Sequence, residues 1–388
     1  MDNTYKILVV DDEPDVKPLI LQRFRREIRK NIYDFVFAGN GVEALEKIAA
    51  DRGIDMVVSD INMPEMDGLT LIKKIPDVNP DLWSIIVSAY GDMKNIRMAM
   101  NEGAFDFVVK PIDFEDLKIT IARTINHINL WREAQSSKAK LIALNQELQI
   151  ANKMQQSILP SVLPEGPNYK FFGTMKPARN VGGDFFDTVK LPENKIAMSI
   201  ADVSDKGVPA ALFMMSSRTL LKGSAIAKTE PSVVLEDVNE LLIEDNDAGM
   251  FVTLIYGVFD HATGTLQYAN GGHNPPILVK ENGNTSFVGM PGGIALGMFP
   301  GFSFDSMEIT LEKGDYIIFY TDGFTEAMNK KGELYGEDRL MEVIQNTIKA
   351  GNKDLVTEMV QSVEDFSTGI PQSDDITCLV LKFDGAIS

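Results

Sequence analysis

The 388-residue chain is poor in reactive and soft side chains, with one cysteine, three histidines and two tryptophans. A single thiol, Cys378, cannot close an internal disulfide and suits a reducing compartment. It lies in the apolar run ITCLVLKF, where a buried core position is expected. His127, His261 and His273 are scattered, so no His/Cys cluster offers a zinc site. His273, in YANGGHNPP, is read as a loop-packing residue. No apolar stretch reaches the roughly 20 residues that a membrane helix needs. The opening MDNTYKILVV lacks the basic region, apolar core and cleavage site of a secretory leader, so a cytoplasmic protein is expected. Basic residues are also short: 37 Lys and Arg against 56 Asp and Glu leave a net charge of −19. A face that neutralises nucleic-acid phosphates needs the opposite balance. The cluster Arg23, Arg25, Arg26, Arg29 and Lys30 reads as the solvated end of a helix. Also missing are a GxGxxG loop, a P-loop and a Ser/His/Asp elbow, which argues against a nucleotide-binding or histidine-kinase output.

What is present starts with ordinary composition, 44% hydrophobic and 24% charged, in a length that suits two or three domains. Between Asp113 and Pro160 there is no glycine and no earlier proline, so nothing interrupts a helix of about 45 residues, roughly 65–70 Å long. Leu117, Ile121, Thr124, Ile128 and Trp131 step by alternate fours and threes. Leu141, Leu144, Leu148, Ala151, Gln155 and Ile158 do the same. Both series fit a coiled-coil seam. A polar patch, Arg132 to Lys140, separates them. The first half also suits a helix lying on its own domain, whereas the second half reads as a dimer-forming signalling helix.

Before that helix, short apolar runs alternate with helical periodicity five times, the pattern of a doubly wound α/β parallel sheet. In such sheets the site lies at the carboxyl ends of the strands. Asp11 and Asp12 follow the first strand, Asp60 the third, Ser88 the fourth and Lys110 the fifth. Three crowded carboxylates need a cation, and hard oxygen ligands suit Mg²⁺. A carboxylate beside that ion can accept a phosphoryl group, a hydroxyl can hydrogen-bond its oxygens and an ammonium can neutralise them.

After Pro160 and Pro164 the chain turns to alternating strands and helix pairs, an α+β sandwich flanked by helices. Acidic residues again sit at strand ends. Asp184 follows Gly182-Gly183, Asp202 closes KIAMSIAD, Asp322 closes YIIFYTD, and Asp374-Asp375 precedes the last strand. Packed side by side, these strands bring the carboxylates to one edge, a costly gathering unless cations occupy it. Two divalent ions would answer that need, since a water held between them loses a proton near neutral pH and the ions clamp phosphoryl oxygens.

The motifs Asp11-Asp12, VVSDINMPEMDG, IIVSAYGD and Lys110-Pro111 resemble the receiver domain of two-component response regulators, over some 120 residues. The resemblance implies that Asp60 accepts phosphate from a cognate histidine kinase, that Ser88 and Phe107 form a switch pair, and that Lys110-Pro111 is a cis peptide. Phe107 stands where many relatives have Tyr. The motifs MQQSILP, KPARNVGGDFFD, IADVSDKGVPAALFM, LQYANGGHNPP, YIIFYTDGFTEAMN and SDDIT resemble PP2C-type serine/threonine phosphatases of the bacterial SpoIIE/RsbU branch. By that resemblance Asp202 bridges two Mn²⁺ or Mg²⁺ ions. Asp184 and the Val203 carbonyl complete one ion, and Asp322 and Asp374 complete the other, with Asp375 ranked after its neighbour. Asp205 replaces a glycine common in relatives. The expectation is therefore a receiver domain at 1–125, a helical coiled-coil linker at 126–160 and a PP2C-type domain at 161–388. Asp60 phosphorylation would control a metal-dependent phosphatase acting on a phosphorylated STAS-type anti-sigma-factor antagonist. The chain would homodimerise through its linker, without binding nucleic acid or membrane. The competing reading is a catalytically inactive, phosphorylation-controlled adaptor that binds a sigma-factor regulator.

Overall fold

The computed structural model describes residues 4–244, 246–351 and 354–386. It divides into two compact units, 1–143 and 144–388.

The first unit contains β1 (Tyr5–Val10), α1 (Val16–Arg23), α2 (Arg25–Arg29), β2 (Tyr33–Ala38), α3 (Gly41–Ala50), β3 (Ile54–Asp60), α4 (Gly68–Val78), β4 (Trp83–Ala89), α5 (Met93–Asn101) and β5 (Asp106–Lys110), and then the start of α6 (Phe114–Ile158). All strand pairings are parallel, in the order β2-β1-β3-β4-β5. A parallel sheet buried on both faces explains the continuous apolar runs read in the sequence. Alternate residues of β1 serve different cores: Ile7 and Val9 face one side, Leu8 and Val10 the other. The starts of α3 and α4 are capped by side chains. The Asn40 side chain accepts from the Val42 and Glu43 amides at 3.0 Å, and Asp67 accepts from Thr70 at 2.7 Å. The helical segment whose basic end was read at Arg23 to Lys30 breaks at Phe24 into α1 and α2.

Helix α6 is unbroken over 45 residues, as its lack of glycine and proline requires. Its first apolar series is core, not seam. Leu117, Ile121, Ile125 and Ile128 are buried against the sheet, and Thr124 is buried with its hydroxyl donating to the Thr120 carbonyl at 2.8 Å. Arg132 pairs with Asp55 at 2.6 Å. The second series differs, since Leu141 and Leu144 are 58% and 53% exposed. Gln155 and Leu159, by contrast, are buried in the second unit.

The second unit continues with β6 (Glu165–Gly166), β7 (Tyr169–Lys176), β8 (Phe185–Lys190), β9 (Lys195–Val203), α7 (Val208–Ala227), α8 (Pro231–Glu244), β10 (Val252–Asp260), β11 (Thr265–Gly271), β12 (Ile277–Val279), β13 (Thr285–Phe287), β14 (Ser306–Thr310), β15 (Tyr316–Tyr320), α9 (Gly336–Lys349), α10 (Leu355–Phe366) and β16 (Ile376–Phe383). Two antiparallel sheets form, β14-β11-β10-β9-β8 and β13-β12-β15-β16-β7-β6. Helices α7 and α8 cover the first sheet, and α9 and α10 cover the second, so four layers stack as α/β/β/α. β16 shows why its sequence is apolar throughout. Leu379, Leu381 and Phe383 enter the core between the sheets, while Ile376, Cys378 and Val380 enter the core beneath α9 and α10. Cys378 is buried as expected, and burial pushes its thiol up to about 12. β14 is confined to Ser306–Thr310, the residues that find a partner in β11.

Candidate functional site

In the first unit, the carboxyl ends of β1, β3, β4 and β5 carry the expected groups to one edge. Among the described residues, Asp11, Asp12 and Asp60 are the one trio of metal-type ligands whose donor atoms lie within 4.8 Å of one another. Lys110 Nζ closes the cluster, 3.2 Å from Asp60, 3.3 Å from Asp11 and 3.2 Å from Glu13. Burial raises the Asp60 carboxyl above its ordinary range, and Lys110 opposes that shift. The Lys110 ammonium is itself held charged against its burial by Asp60 and Asp11. Ser88 Oγ is buried without a hydrogen-bond partner, and the Phe107 ring is half-buried on β5. The Lys110-Pro111 peptide is cis. Gly68 must lack a side chain, because a Cβ there would overlap the backbone of Asp60. The hard oxygen donors and the crowding fit a divalent ion such as Mg²⁺.

In the second unit, β9 ends on Asp202 and Val203, β15 runs into Thr321-Asp322, and Asp374-Asp375 leads into β16. Asp184 starts β8 from the Gly182-Gly183 turn. Burial, then the charges of Asp202 and Asp375, push the Asp184 carboxyl far above its usual range, while the Thr321 hydroxyl donates to its Oδ2 at 2.8 Å. Asp202 is pushed up to about 7, chiefly by burial and then by Asp322. Asp322 is raised by burial and by Asp374. These groups therefore feel one another as like charges in a poorly solvated place, an arrangement that added cations relieve. The carboxylates do not close to the tight spacing of the receiver trio.

Asp374 and Asp375 differ in what they already hold. Asp375 Oδ1 accepts from the Ala178 amide at 2.8 Å, and its Oδ2 accepts from Gly183 and Asp184 at 2.7 and 3.3 Å. Its carboxylate is thus spent on shaping the Asp184 turn. Asp374 Oδ2 meets Lys206 Nζ at 2.7 Å, and its Oδ1 accepts from the Asp375 amide at 2.9 Å. Glycines make room: a Cβ on Gly182 would overlap the Asp375 carboxylate, and one on Gly323 the Asp375 backbone. A Cβ on Gly183 would stand 3.0 Å from the Val203 carbonyl oxygen, so its absence leaves that oxygen open. Asp205 adopts φ 67°, a left-handed conformation in which glycine is at ease and aspartate is tolerated. The donor set is all hard oxygen, which fits Mg²⁺ or Mn²⁺ and not a thiophilic metal.

Sequence reasoning missed three residues here. Gln155, read as a seam position, is buried instead: its Nε2 donates to the Gly182 carbonyl at 2.6 Å and its Oε1 accepts from the Gly182 amide at 3.0 Å. A polar residue in an apolar series was the available signal. Thr321 and Lys206 had no signal beyond standing next to or near an aspartate.

The family description "Response regulator receiver domain" matches residues 7–122, and "Stage II sporulation protein E (SpoIIE)" matches residues 192–384. The chain is a receiver domain joined to a SpoIIE-type PP2C phosphatase domain. The chain is 28% identical to the phosphoserine phosphatase RsbU of Bacillus subtilis over 272 residues, 69% of this chain and 79% of that protein. It is 30% identical to protein IcfG of Synechocystis over 262 residues, 61% of this chain and 41% of that protein, so it spans well under half of the latter. The RsbU and RsbW domains of Rv1364c from Mycobacterium tuberculosis superpose with a TM-score of 0.52 at 26% identity, covering 58% of this chain and 62% of that one. The SiaA-PP2C domain of Pseudomonas aeruginosa, at 21% identity and a TM-score of 0.55, covers 63% of this chain and 99% of its own and shares the fold. Asp202, Asp322, Asp374 and Asp375 fall within the SpoIIE match, whereas Asp184 precedes it. No helix among the described residues is long and apolar enough to cross a membrane.

Proposed function

We propose that this chain is a cytoplasmic response regulator whose output is a metal-dependent phosphoserine/phosphothreonine protein phosphatase. The observation that carries the reading is the gathering of Asp184, Asp202 and Asp322, all with carboxyls raised by burial and by neighbouring aspartates, at the adjoining edges of two sheets. Asp202 would bridge two Mn²⁺ or Mg²⁺ ions, with Asp184 and the Val203 carbonyl on one side and Asp322 and Asp374 on the other. Asp375 serves them through the turn that it holds. The ions would supply positive charge to the phosphoryl oxygens and acidity to the attacking water. The protein's own part is to aim the carboxylates: Thr321 fixes Asp184, and Asp375 with Gln155 fixes the turn before it.

At the receiver, Asp11, Asp12 and Asp60 would hold Mg²⁺, and Asp60 would take phosphate from a cognate histidine kinase. The added charge, near −2, would engage Ser88 and Lys110 and shift the face that includes Phe107. Its route onward is α6, whose Gln155 grips the backbone of Gly182, two residues from Asp184. The exposed Leu141 and Leu144 support a homodimer formed through the helix. The substrate, on the resemblance read in the sequence motifs, is a phosphorylated STAS-type anti-sigma-factor antagonist in a partner-switching pathway.

Hydrolysis of a chromogenic aryl phosphate tests the catalytic core. Wild type turns over with Mn²⁺ and not without it, and Asp202→Asn loses more than about a hundredfold. Near-wild-type turnover in that variant would remove the two-ion assignment and leave the adaptor reading.

A further inference from the structure

His273 is buried in the second unit, in the turn after β11. Its backbone N–H donates to Asn270 Oδ1 at 2.8 Å, which holds the turn. Its ring spans the two sheets. Nε2 lies 3.1 Å from the Tyr320 carbonyl in β15, and Nδ1 lies 2.9 Å from Thr253 Oγ1 in β10. A carbonyl oxygen can only accept, so Nε2 bears the proton and Nδ1 accepts from the Thr253 hydroxyl. Burial lowers the imidazole to about 4, which agrees with a neutral ring in this one tautomer.

Both partners stand beside the carboxylates. Thr253 is the direct cross-strand partner of Asp202 on β9, and its hydroxyl lies 3.5 Å from the Asp202 carbonyl. Tyr320 is two residues before Asp322 and next to Thr321, which holds Asp184. Asp202 belongs to one sheet and Asp322 follows a strand of the other. A flat ring with two fixed hydrogen bonds therefore lies between the segments that carry the two groups of carboxylates. Packing alone would need no such pair of bonds, and Leu or Phe would fill the volume.

We propose that His273 is a positioning residue that sets the separation of the two carboxylate-bearing sheet edges, and so the fit of the divalent ions between them. The inference rests on the two-ion reading above. It concerns no contact with substrate: the ring acts through Thr253 and Tyr320.

The test is Mn²⁺ binding to the metal-depleted full-length chain carrying Asp60→Ala, which disables the receiver's own ion site and serves as the wild-type background throughout, measured by calorimetry, beside thermal melting followed by circular dichroism. His273→Phe keeps the volume and removes both bonds. It is expected to stay folded and to bind Mn²⁺ about tenfold more weakly, the scale of losing an outer partner of a metal site. His273→Gln, which can restore an N–H to the Tyr320 carbonyl, should recover part of that affinity. Thr253→Val removes one bond with the ring in place, and should weaken Mn²⁺ binding by about threefold, within the lower range for such outer partners. It serves as the second probe should the Phe variant not fold. A merely structural histidine would lower the melting temperature and leave the Mn²⁺ affinity of the folded protein unchanged. Unchanged affinity in a folded Phe variant, or in Thr253→Val, overturns the proposal while the two-ion reading stands. Absence of Mn²⁺ binding in wild type overturns both.

Discussion

The two acidic clusters of this chain are built from the same material and solve different problems. In the receiver, three carboxylates crowd within 4.8 Å at the ends of parallel strands of one sheet, and Lys110 supplies an internal counter-charge at 3.2–3.3 Å. In the phosphatase domain, the carboxylates are divided between two sheets, and those with raised carboxyls press on one another. The nearby cation, Lys206, pairs directly with Asp374 at 2.7 Å and opposes the rise of Asp322 from farther off. In the first cluster Lys110 offsets part of the negative charge from within the fold, and the rest is left for a cation. On the function proposed above, the second would be relieved by bound ions, so that its spacing would decide whether they are held; the first would then sense and the second be switched.

Removing Asp60 separates the two roles most sharply. Asp60→Ala should keep basal Mn²⁺-dependent hydrolysis and lose the whole response to a small-molecule phosphodonor such as acetyl phosphate. An equal response in variant and wild type would mean that the receiver cluster does not govern the second. A smaller effect is expected at the junction. Gln155→Met keeps the length of the side chain but leaves the Gly182 amide and carbonyl unpaired, at a cost of about 1–3 kcal/mol for a buried polar group. The variant should still turn over at saturating Mn²⁺, with its response to the phosphodonor reduced. A full response would show that the signal reaches Asp184 by another route.

Much of this was legible beforehand because strand-end aspartates after short apolar runs are a local pattern. Asp11, Asp60, Asp202 and Asp322 all stand where such a reading puts them. Helix continuity in α6 was equally local, since the stretch lacks the strongest breakers, glycine and proline. The use of its apolar series was not local. Leu117 and Ile121 step like a seam, yet they pack on the sheet, because 3.5- and 3.6-residue periods cannot be told apart over three turns. Gln155 was misread because its partner, Gly182, is 27 residues away. The ranking of Asp374 before Asp375 came from the family resemblance alone; that the Asp375 carboxylate caps the Gly183-Asp184 turn is a long-range contact with no local signal.

The central claim is that the phosphatase carboxylates are gathered at a cost that divalent ions remove, and thermal melting of the metal-free chain tests it directly. The folded-state carboxyl of Asp202, at about 7, is raised from 3.8, so the folded chain binds more protons across that window and this contribution to stability falls as pH rises through it. Asp202→Asn should therefore melt above wild type at pH 8 without metal and lose that advantage at pH 5, while Mn²⁺ should raise the pH 8 melting temperature of wild type and not of the variant. A wild type indifferent to Mn²⁺, with Asp202→Asn no more stable than wild type at pH 8, would contradict the account.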